Sequence, residues 1–232
     1  MSNKNYIVAT VRPWNIKAFH EKISKYPGKW TLFTSKKELT EKAIKKLKPK
    51  YIFFPHWNYI VPPGILKMAE CIGFHETPLP YGRGGSPVQN MIIRGHKETT
   101  VTAIKMVDEL DAGPVYLKKT VSLEGLSEEI FVRISGIVAD MILEIISKDI
   151  KPMPQKGKKE VFQRRTPAQS EVSTKISDLN ALYDFLRMLD AEEYPRAFIK
   201  YGKFRIEFSR PALRHNRIEA DVKISLIKEP ND

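Results

Sequence analysis

Apolar residues in the first 75 positions fall into short continuous runs separated by amphipathic stretches. The runs are rich in β-branched and aromatic residues and predict four strands, at 6–11, 30–35, 51–55 and 71–75. Continuous apolar strands that alternate with helices are typical of a mostly parallel sheet covered on both faces. Ligands of such sheets bind beyond the carboxyl ends of the strands, so the loops after residues 11, 55 and 75 are candidate binding loops.

Helical spacing fills the gaps between these strands. It predicts helices over 14–25 and 36–47, and Ser35 with Glu38 forms a capping box before the second of them. A third, short helix is predicted to open at Pro62-Pro63, because proline is well suited to the first turn of a helix.

The pattern changes after residue 76, where a Gly/Pro-rich loop over 76–87 leads into further predicted elements. These are helices over 88–94, 127–148 and 178–190, and strands over 101–107, 114–121, 197–201, 203–208 and 219–227. A polar, proline-containing stretch precedes the tail. We therefore predict an α/β domain over 1–150, a linker over 151–170 and a small α+β subdomain over 171–232.

The formal net charge of +12 favours anionic partners such as nucleic acid, acidic lipid or phosphorylated small molecules. Much of this charge lies in two lysine-rich stretches, 42–50 and 156–160, which are also typical of solvated surfaces. Cys71 is the one cysteine, no apolar run is long enough to span a membrane, and the first residues predict a strand instead of a secretory leader. These features predict a cytoplasmic protein.

Two residues are the main candidates for chemistry. His75 ends a predicted buried strand at the ligand edge of the sheet, and an imidazole can accept and donate a proton near neutral pH. Asp111 lies in a turn with Gly113, and a carboxylate beside a histidine can hold the ring in one orientation. Taken singly, a strand-end histidine is more often structural and an aspartate in such a turn is usually a turn former, so the pair is the stronger signal. No Cys/His or H-E-x-x-H spacing predicts a metal site.

Two segments, FHETPLPYGRGGSP and then GHKETTVTAIKMVDELDAGPV, give the chain its family resemblance. It resembles the folate-dependent formyltransferase family, with matching residues at fixed spacing over about 40 positions. That family reads N-x-H-x-S-x-L-P-x-Y-R-G-x-x-P, then G-x-x-x-T-G-V-T-x-x-x-M, then D-x-G. The positions in register are His75, Thr77, Leu79, Pro80, Arg83, Gly84, Pro87, Gly95, Val101, Thr102, Met106, Asp111 and Gly113. The tail, with RRTP and FLRMLDAEEYPRAFI, is similar to amino-sugar N-formyltransferases of the pseudaminic-acid type.

The resemblance implies a Rossmann-like domain that uses 10-formyltetrahydrofolate as formyl donor, with no metal. It implies that His75 and Asp111 are catalytic. The residues expected to bind the folate are Trp57, Asn58, Tyr59, Ile60, Val61 and Asp108. The residues expected to bind the acceptor are Thr77, Tyr81, Arg83, Gly84, Gly85, Ser86, Arg164 and Arg165.

One departure from the family pattern bears on catalysis. The family's catalytic asparagine stands two residues before the histidine, and Gly73 occupies that position here. Asn90 and Asn58 are the nearest candidate replacements, and we favour Asn90 because it should lie on the first turn of a helix that favours negative charge.

The predicted acceptor is the amine of a nucleotide-linked amino sugar, a UDP-linked 4-amino-4,6-dideoxy sugar, whose pyrophosphate suits a basic protein. Methionyl-tRNA is the alternative acceptor, but the tail is short and shows no evident five-stranded barrel, so nucleic acid is predicted to be an unlikely partner. A folate- or RNA-binding module without activity is the second alternative, kept open by Gly73. No membrane partner is predicted, and the sequence does not bear on the oligomeric state.

Overall fold

The computed structural model describes residues 4–227 of the 232-residue chain. Its strands are β1 (Asn5–Ala9), β2 (Lys29–Phe33), β3 (Tyr51–Pro55), β4 (Glu70–His75), β5 (Arg83–Gly84), β6 (Glu98–Lys105), β7 (Val115–Ser122), β8 (Val161–Phe162), β9 (Phe198–Tyr201), β10 (Phe204–Leu213) and β11 (Ile218–Leu226). Its α-helices are α1 (Pro13–Glu21), α2 (Glu41–Leu47), α3 (Pro63–Met68), α4 (Pro87–Ile93), α5 (Ser127–Lys148) and α6 (Leu179–Arg187). Short 3-10 helices lie at Ile23–Lys25 and Pro167–Ser170.

The four apolar runs form the parallel part of a six-stranded sheet with the order β2-β1-β3-β4-β6-β7. Strands β2, β1, β3 and β4 run parallel, whereas β6 runs antiparallel to β4. Strand β3 is buried along its whole length, which explains why its sequence is continuously apolar. The predicted α/β class with a mostly parallel sheet is confirmed.

The register between β4 and β6 matters for function. His75 is paired with Thr102, so the last residue of β4 faces the middle of β6. The loop that follows β6 returns to β7 and carries Asp111. Because β6 is antiparallel to β4, its last residue Lys105 lies beside Ile72, so the loop starts away from the His75 end of β4 and folds back to bring Asp111 within 3.6 Å of the His75 ring.

The second predicted helix begins later than the capping box indicates. The carboxylate of Glu38 accepts hydrogen bonds from the backbone N–H groups of Thr34 and Ser35 at 2.8 and 2.9 Å, as a capping box would, but these bonds close only a turn. Helix α2 starts at Glu41, where Thr40 accepts a hydrogen bond from the Ala43 N–H. Two consecutive N-terminal signals compete here, and the second one starts the helix.

The tail folds into α6 and a three-stranded antiparallel sheet with the order β11-β10-β9. Asp178 caps α6 by accepting hydrogen bonds from the N–H groups of Asn180 and Ala181. A register shift between Ser209 and Ala212 marks a bulge in β10, where Arg210 has a φ of 50°. The predicted α+β tail is therefore present.

By compactness the chain groups into two units. The first comprises Met1–Gly84, Thr99–Val121 and Phe131–Val161, and the second Gly85–Glu98, Ser122–Ile130 and Phe162–Asp232. One reason that 122–130 groups with the tail is the buried Arg187, which donates to the carbonyls of Leu123 and Gly125. The linear division into 1–150, 151–170 and 171–232 stays a prediction, and its ends, residues 1–3 and 228–232, lie outside the described residues. Within residues 4–227, no helix has both the length and the apolar character needed to cross a membrane.

Candidate active site

The first unit carries a histidine and an aspartate at one edge of its sheet. His75 is the last residue of β4 and is 7% exposed. Its Nδ1 atom lies 3.6 Å from Oδ2 of Asp111, and its Nε2 atom lies 2.7 Å from the carbonyl oxygen of Gly82. The structure therefore brings together the two residues that the sequence singles out, although they are 36 positions apart.

Both nitrogens of the His75 ring face oxygen atoms that accept hydrogen bonds. A carbonyl oxygen has no proton to give, so Nε2 carries a hydrogen in this arrangement. The 3.6 Å between Nδ1 and Asp111 is longer than a hydrogen bond and corresponds to a close pair that tightens if the ring or loop moves slightly.

Asp111 is held in place by its backbone surroundings. Its φ is 53°, a left-handed conformation that aspartate tolerates better than most residues. The backbone N–H of Gly84 donates to Oδ2 of Asp111 at 2.9 Å. Gly113 has no room for a side chain, because a Cβ there would overlap the carbonyl oxygen of Lys105. The turn is thus specified by tight backbone packing, which also fixes where the carboxylate points.

The loop after β4 is tied down by two threonine hydroxyls, one from the loop itself and one from β6. Thr77 donates from Oγ1 to the Gly82 carbonyl at 3.2 Å, and Thr102 donates to the Thr77 carbonyl at 2.6 Å. Gly82 and Gly84 both have positive φ values, 76° and 104°, which only glycine adopts readily. Thr77, predicted to bind the acceptor, therefore has a structural role in holding the loop. Tyr81 is half-buried in the same loop.

Arg83 is engaged within the first unit. Its Nη1 lies 3.0 Å from Glu109, and its Nε and Nη2 lie 3.2 and 2.8 Å from Oε1 of Gln155. Lys159 also contacts Glu109 at 3.0 Å. An arginine with these partners has less freedom to bind an anionic acceptor than the sequence suggests, so its role as an acceptor-binding residue stays a prediction.

Glu76 is a site residue that sequence reasoning missed. It follows His75 and is 7% exposed. Burial raises the pKa of the Glu76 carboxyl to about 7, and the negative charge of Asp111 adds to this rise, while His75 and the residue's own backbone N–H oppose it. The signal in the sequence was a glutamate directly after an apolar strand that ends in a histidine. A carboxyl that changes charge near neutral pH thus lies beside the candidate catalytic pair.

The residues predicted to bind folate follow β3 at the same edge of the sheet. Trp57 packs against the core, and its indole Nε1 is buried with no hydrogen-bond partner within the described part of the chain. Asn58 and Tyr59 are exposed, and Ile60 is 90% exposed. Val61 is 5% exposed and belongs to the hydrophobic core, so its side chain is not available to a ligand.

Asp108, also predicted to bind folate, is exposed in the loop that carries Asp111. In that loop Leu110 is 70% exposed, which leaves an apolar side chain beside the candidate site. Ile60 and Leu110 thus present exposed apolar surface, and the predicted role of Ile60 and Asp108 in folate binding stays a prediction.

Gly73 leaves open the position of the family asparagine. A Cβ added there would lie 3.4 Å from Cγ and 3.6 Å from Sδ of Met106, which is ordinary van der Waals contact. The three atoms nearest to that Cβ belong to side chains, so the backbone leaves room for at least one side-chain carbon at residue 73.

The second unit holds the remaining predicted residues, and it assigns Asn90 a different role. The Asn90 amide donates to the carbonyls of Gly85, Ser86 and Gln163 at 3.0, 3.0 and 3.1 Å, and its oxygen accepts from Arg94 at 2.7 Å. Both amide hydrogens are thus occupied by backbone carbonyls, and the oxyanion role, which needs one of them to be released, stays a prediction. The helix pattern placed Asn90 correctly on α4, but it could not show which carbonyls surround it.

Arg164 and Arg165 also lie in the second unit. A Cβ on Gly85 would overlap Cα and Cβ of Arg164, so these two strands of chain pack tightly. The backbone N–H of Arg165 donates to Oγ of Ser86 at 3.1 Å, and its guanidinium lies over the ring of Phe185. Burial lowers the pKa of Arg165. Their predicted role in acceptor binding stays a prediction. Among residues 4–227, no three His, Cys, Asp or Glu side chains are grouped as metal ligands.

Comparisons with known proteins match both parts of the chain. A family model described as "Formyl transferase" matches residues 15–129, and one described as "Methionyl-tRNA formyltransferase, C-terminal domain" matches residues 167–225. A solved structure described as methionyl-tRNA formyltransferase from Clostridium thermocellum is 48% identical, with a TM-score of 0.91 over 96% of this chain and 99% of that one.

Curated relatives named methionyl-tRNA formyltransferase are more distant. The one from Lactobacillus gasseri is 27% identical over 81% of this chain and 62% of its own length. The one from Sulfurimonas denitrificans is 30% identical over 50% of this chain and 39% of its own length. The chain thus spans between about two fifths and three fifths of the curated relatives it matches.

These comparisons overturn the predicted acceptor. A structure described as a 4-N formyltransferase from Francisella tularensis matches at only 17% identity with a TM-score of 0.70, which is a likeness in fold alone. The tail was predicted to be of the amino-sugar type, yet residues 167–225 match a methionyl-tRNA formyltransferase domain. The amino-sugar acceptor and the exclusion of nucleic acid are therefore wrong, because strand patterns show that a tail is α+β but not which ligand its surface fits.

Proposed function

Because the chain belongs to the formyltransferase family, we propose that it transfers the formyl group of 10-formyltetrahydrofolate to the amino group of methionyl-tRNA. The observation that carries the proposal is the 48% identity to a protein described as a methionyl-tRNA formyltransferase, which extends over nearly the whole of both chains. The net charge of +12 is consistent with an acceptor made of phosphodiesters. Such an acceptor belongs to translation, which agrees with the cytoplasmic location expected from the sequence.

The reaction requires one proton to move. The acceptor nitrogen forms a bond to the formyl carbon, the bond from that carbon to the folate nitrogen breaks, and the proton lost by the amine passes to the folate nitrogen. His75 is the residue we assign to this transfer, because its ring lies at the ligand edge of the sheet with a carboxylate on its Nδ1 side. Asp111 steadies the imidazolium that forms when the ring accepts the proton.

The position of the Gly82 carbonyl bears on this assignment. It occupies the hydrogen-bonding position at Nε2 of His75, 2.7 Å away. Substrate that reaches Nε2 must displace this carbonyl, and the Nε2 hydrogen must move to Nδ1, which faces Asp111, before Nε2 can accept a proton. Gly82 and Gly84, which have positive φ values, are the residues of this loop with the greatest conformational freedom. The formyl oxygen also needs a donor, and with Gly73 lacking a side chain this role falls to the His75 ring or to exposed Asn58.

The direct test is formylation of methionyl-tRNA by the purified chain. The protein is incubated with 10-formyltetrahydrofolate and methionine-charged tRNA, and formylmethionine is quantified after the ester is hydrolysed. We expect turnover with the wild type, loss of turnover with His75→Ala, and normal turnover with His20→Ala, which alters an exposed histidine.

Two outcomes contradict the proposal. Folate binding without any transfer, under conditions where an authentic enzyme is active, indicates the binding module that Gly73 leaves open. Equal formylation of free methionine and methionyl-tRNA removes the tRNA from the proposed function.

Uncharged tRNA is added as a competitive inhibitor of the formylation of methionyl-tRNA. Its inhibition reports RNA binding separately from formyl transfer.

A further inference from the structure

A glutamine in the stretch that the sequence predicts as a linker contacts the candidate active site. The backbone of Met153 forms a two-way antiparallel bridge with Val115, with N–O distances of 2.7 and 2.8 Å. This bridge anchors the chain two residues before Gln155. Gln155 is half-buried, although most of its neighbours between 151 and 160 are exposed. Its side chain is therefore directed into the first unit from a fixed piece of backbone.

The Gln155 amide uses all of its hydrogen-bonding capacity. Its Nε2 donates to the carbonyls of Asp111 and Gly113 at 2.7 and 2.9 Å. Its Oε1 accepts from Nε and Nη2 of Arg83 at 3.2 and 2.8 Å. An amide has two donor hydrogens and two acceptor lone pairs, and each of them has a partner here. This arrangement specifies one orientation of the amide and joins three segments of chain.

Two of those segments hold the Asp111 carboxylate. Gln155 fixes the backbone carbonyls of Asp111 itself and of Gly113, in a turn where residue 111 has a positive φ. Gln155 also holds Arg83, which directly precedes Gly84. The backbone N–H of Gly84 donates to Oδ2 of Asp111. The Asp111 carboxylate that faces His75 is therefore held both through the backbone of its own turn and through its Oδ2 atom. Both sets of contacts lead back to the Gln155 amide.

We infer that Gln155 is a positioning residue for the transfer reaction, which sets the Asp111 carboxylate against Nδ1 of His75. The inference rests on the proposed function for its activity readout, but the geometry it concerns is independent of the acceptor. Loss of this amide leaves two carbonyls and one face of Arg83 without their partner, and the turn is then free to change the separation between Asp111 and His75. Misplacement of a catalytic group by about 1 Å costs about 10²-fold in rate.

Three substitutions separate the contacts of the amide. Gln155→Glu keeps the oxygen that faces Arg83 but removes both donors to the turn carbonyls. Gln155→Leu removes all four bonds with a similar volume. Gln155→Asn keeps the chemistry but is shorter by one methylene. Gln163→Leu is the matched control, because Gln163 is an exposed glutamine in the second unit.

The experiment measures kcat, KM for both substrates, melting temperature and the ring ¹⁵N chemical shifts of His75 in the full chain. We expect Gln155→Leu and Gln155→Glu to lower kcat about 10²-fold while KM changes by less than about threefold. We also expect the Nδ1 shift of His75 to move, while the other histidines and the Gln163→Leu spectrum stay unchanged. A wild-type kcat and an unmoved His75 Nδ1 shift in Gln155→Leu would overturn the inference.

The two proposals fail in different ways. If the wild type does not formylate methionyl-tRNA, the proposed function fails, and the His75 ring shift still tests whether Gln155 positions Asp111. If the wild type is active and Gln155→Leu only lowers the melting temperature, with kcat and the ring shift intact in the folded fraction, Gln155 is a structural residue and the inference fails alone.

Discussion

The buried carboxyl of Glu76 predicts that the chain becomes less stable as the pH rises through neutrality. Burial raises the pKa of Glu76 from about 4.5 to about 7 in the folded state. Between these two values the folded chain holds a proton that the unfolded chain has released, so the free energy of unfolding falls as pH increases across this window. Below about pH 4.5 Glu76 is protonated in both the folded and the unfolded chain, so its burial no longer lowers the free energy of unfolding.

The magnitude follows from the same two pKa values. One pKa unit corresponds to about 1.4 kcal/mol, so ionising Glu76 in the folded chain above pH 7 costs about 3 kcal/mol. Glu76→Gln replaces the carboxyl with a neutral group of similar size and removes this cost. We expect the variant to be more stable than the wild type by about 3 kcal/mol near pH 8 and by less than about 1 kcal/mol near pH 5.

The assay is urea unfolding of both proteins at about pH 5, 6, 7 and 8, with the difference in free energy of unfolding plotted against pH. Comparing pH values cancels any pH-independent effect of the new amide. Glu21→Gln is the control, because Glu21 is exposed in α1 and its change should stay within about 0.5 kcal/mol at every pH. A difference for Glu76→Gln that does not vary with pH would refute the reasoning, whatever its size.

The other predictions concern residues with defined contacts. His75→Ala should lower kcat in the formylation assay by about 10²-fold or more, and a loss of only a few-fold would exclude His75 as the proton carrier. Asp111→Asn should keep the melting temperature within a few degrees while most activity is lost; normal turnover would leave it as a turn former. Asn90→Ala should destabilise the chain by about 1 kcal/mol or more in urea, because three partly buried hydrogen bonds to backbone carbonyls are lost, and a purely kinetic defect would contradict this role. Gly113→Ala should lower the melting temperature strongly, because its Cβ overlaps the Lys105 carbonyl, and a wild-type melting curve would show that the turn can shift.

The periodicity of the sequence determined the sheet and most helices. Strand β3 and helix α5 have the predicted bounds, 51–55 and 127–148, because a fully buried strand must be continuously apolar and a long helix must repeat its apolar face. The same local logic placed His75 at a strand end. The fixed spacing of a motif then indicated Asp111, so both members of the candidate pair could be predicted before any contact was known.

What only the tertiary structure decided concerns partners that are distant in sequence. Gln155 lies 44 positions from Asp111, and Asn90 lies 73 positions from the Gln163 carbonyl to which it donates. No periodic pattern records such meetings, because a period shows which side of an element is buried but not which loop covers it. The burial that raises the pKa of Glu76 has the same origin: a glutamate at the end of a strand ionises normally in water, and only the packing of the loops around it removes that water.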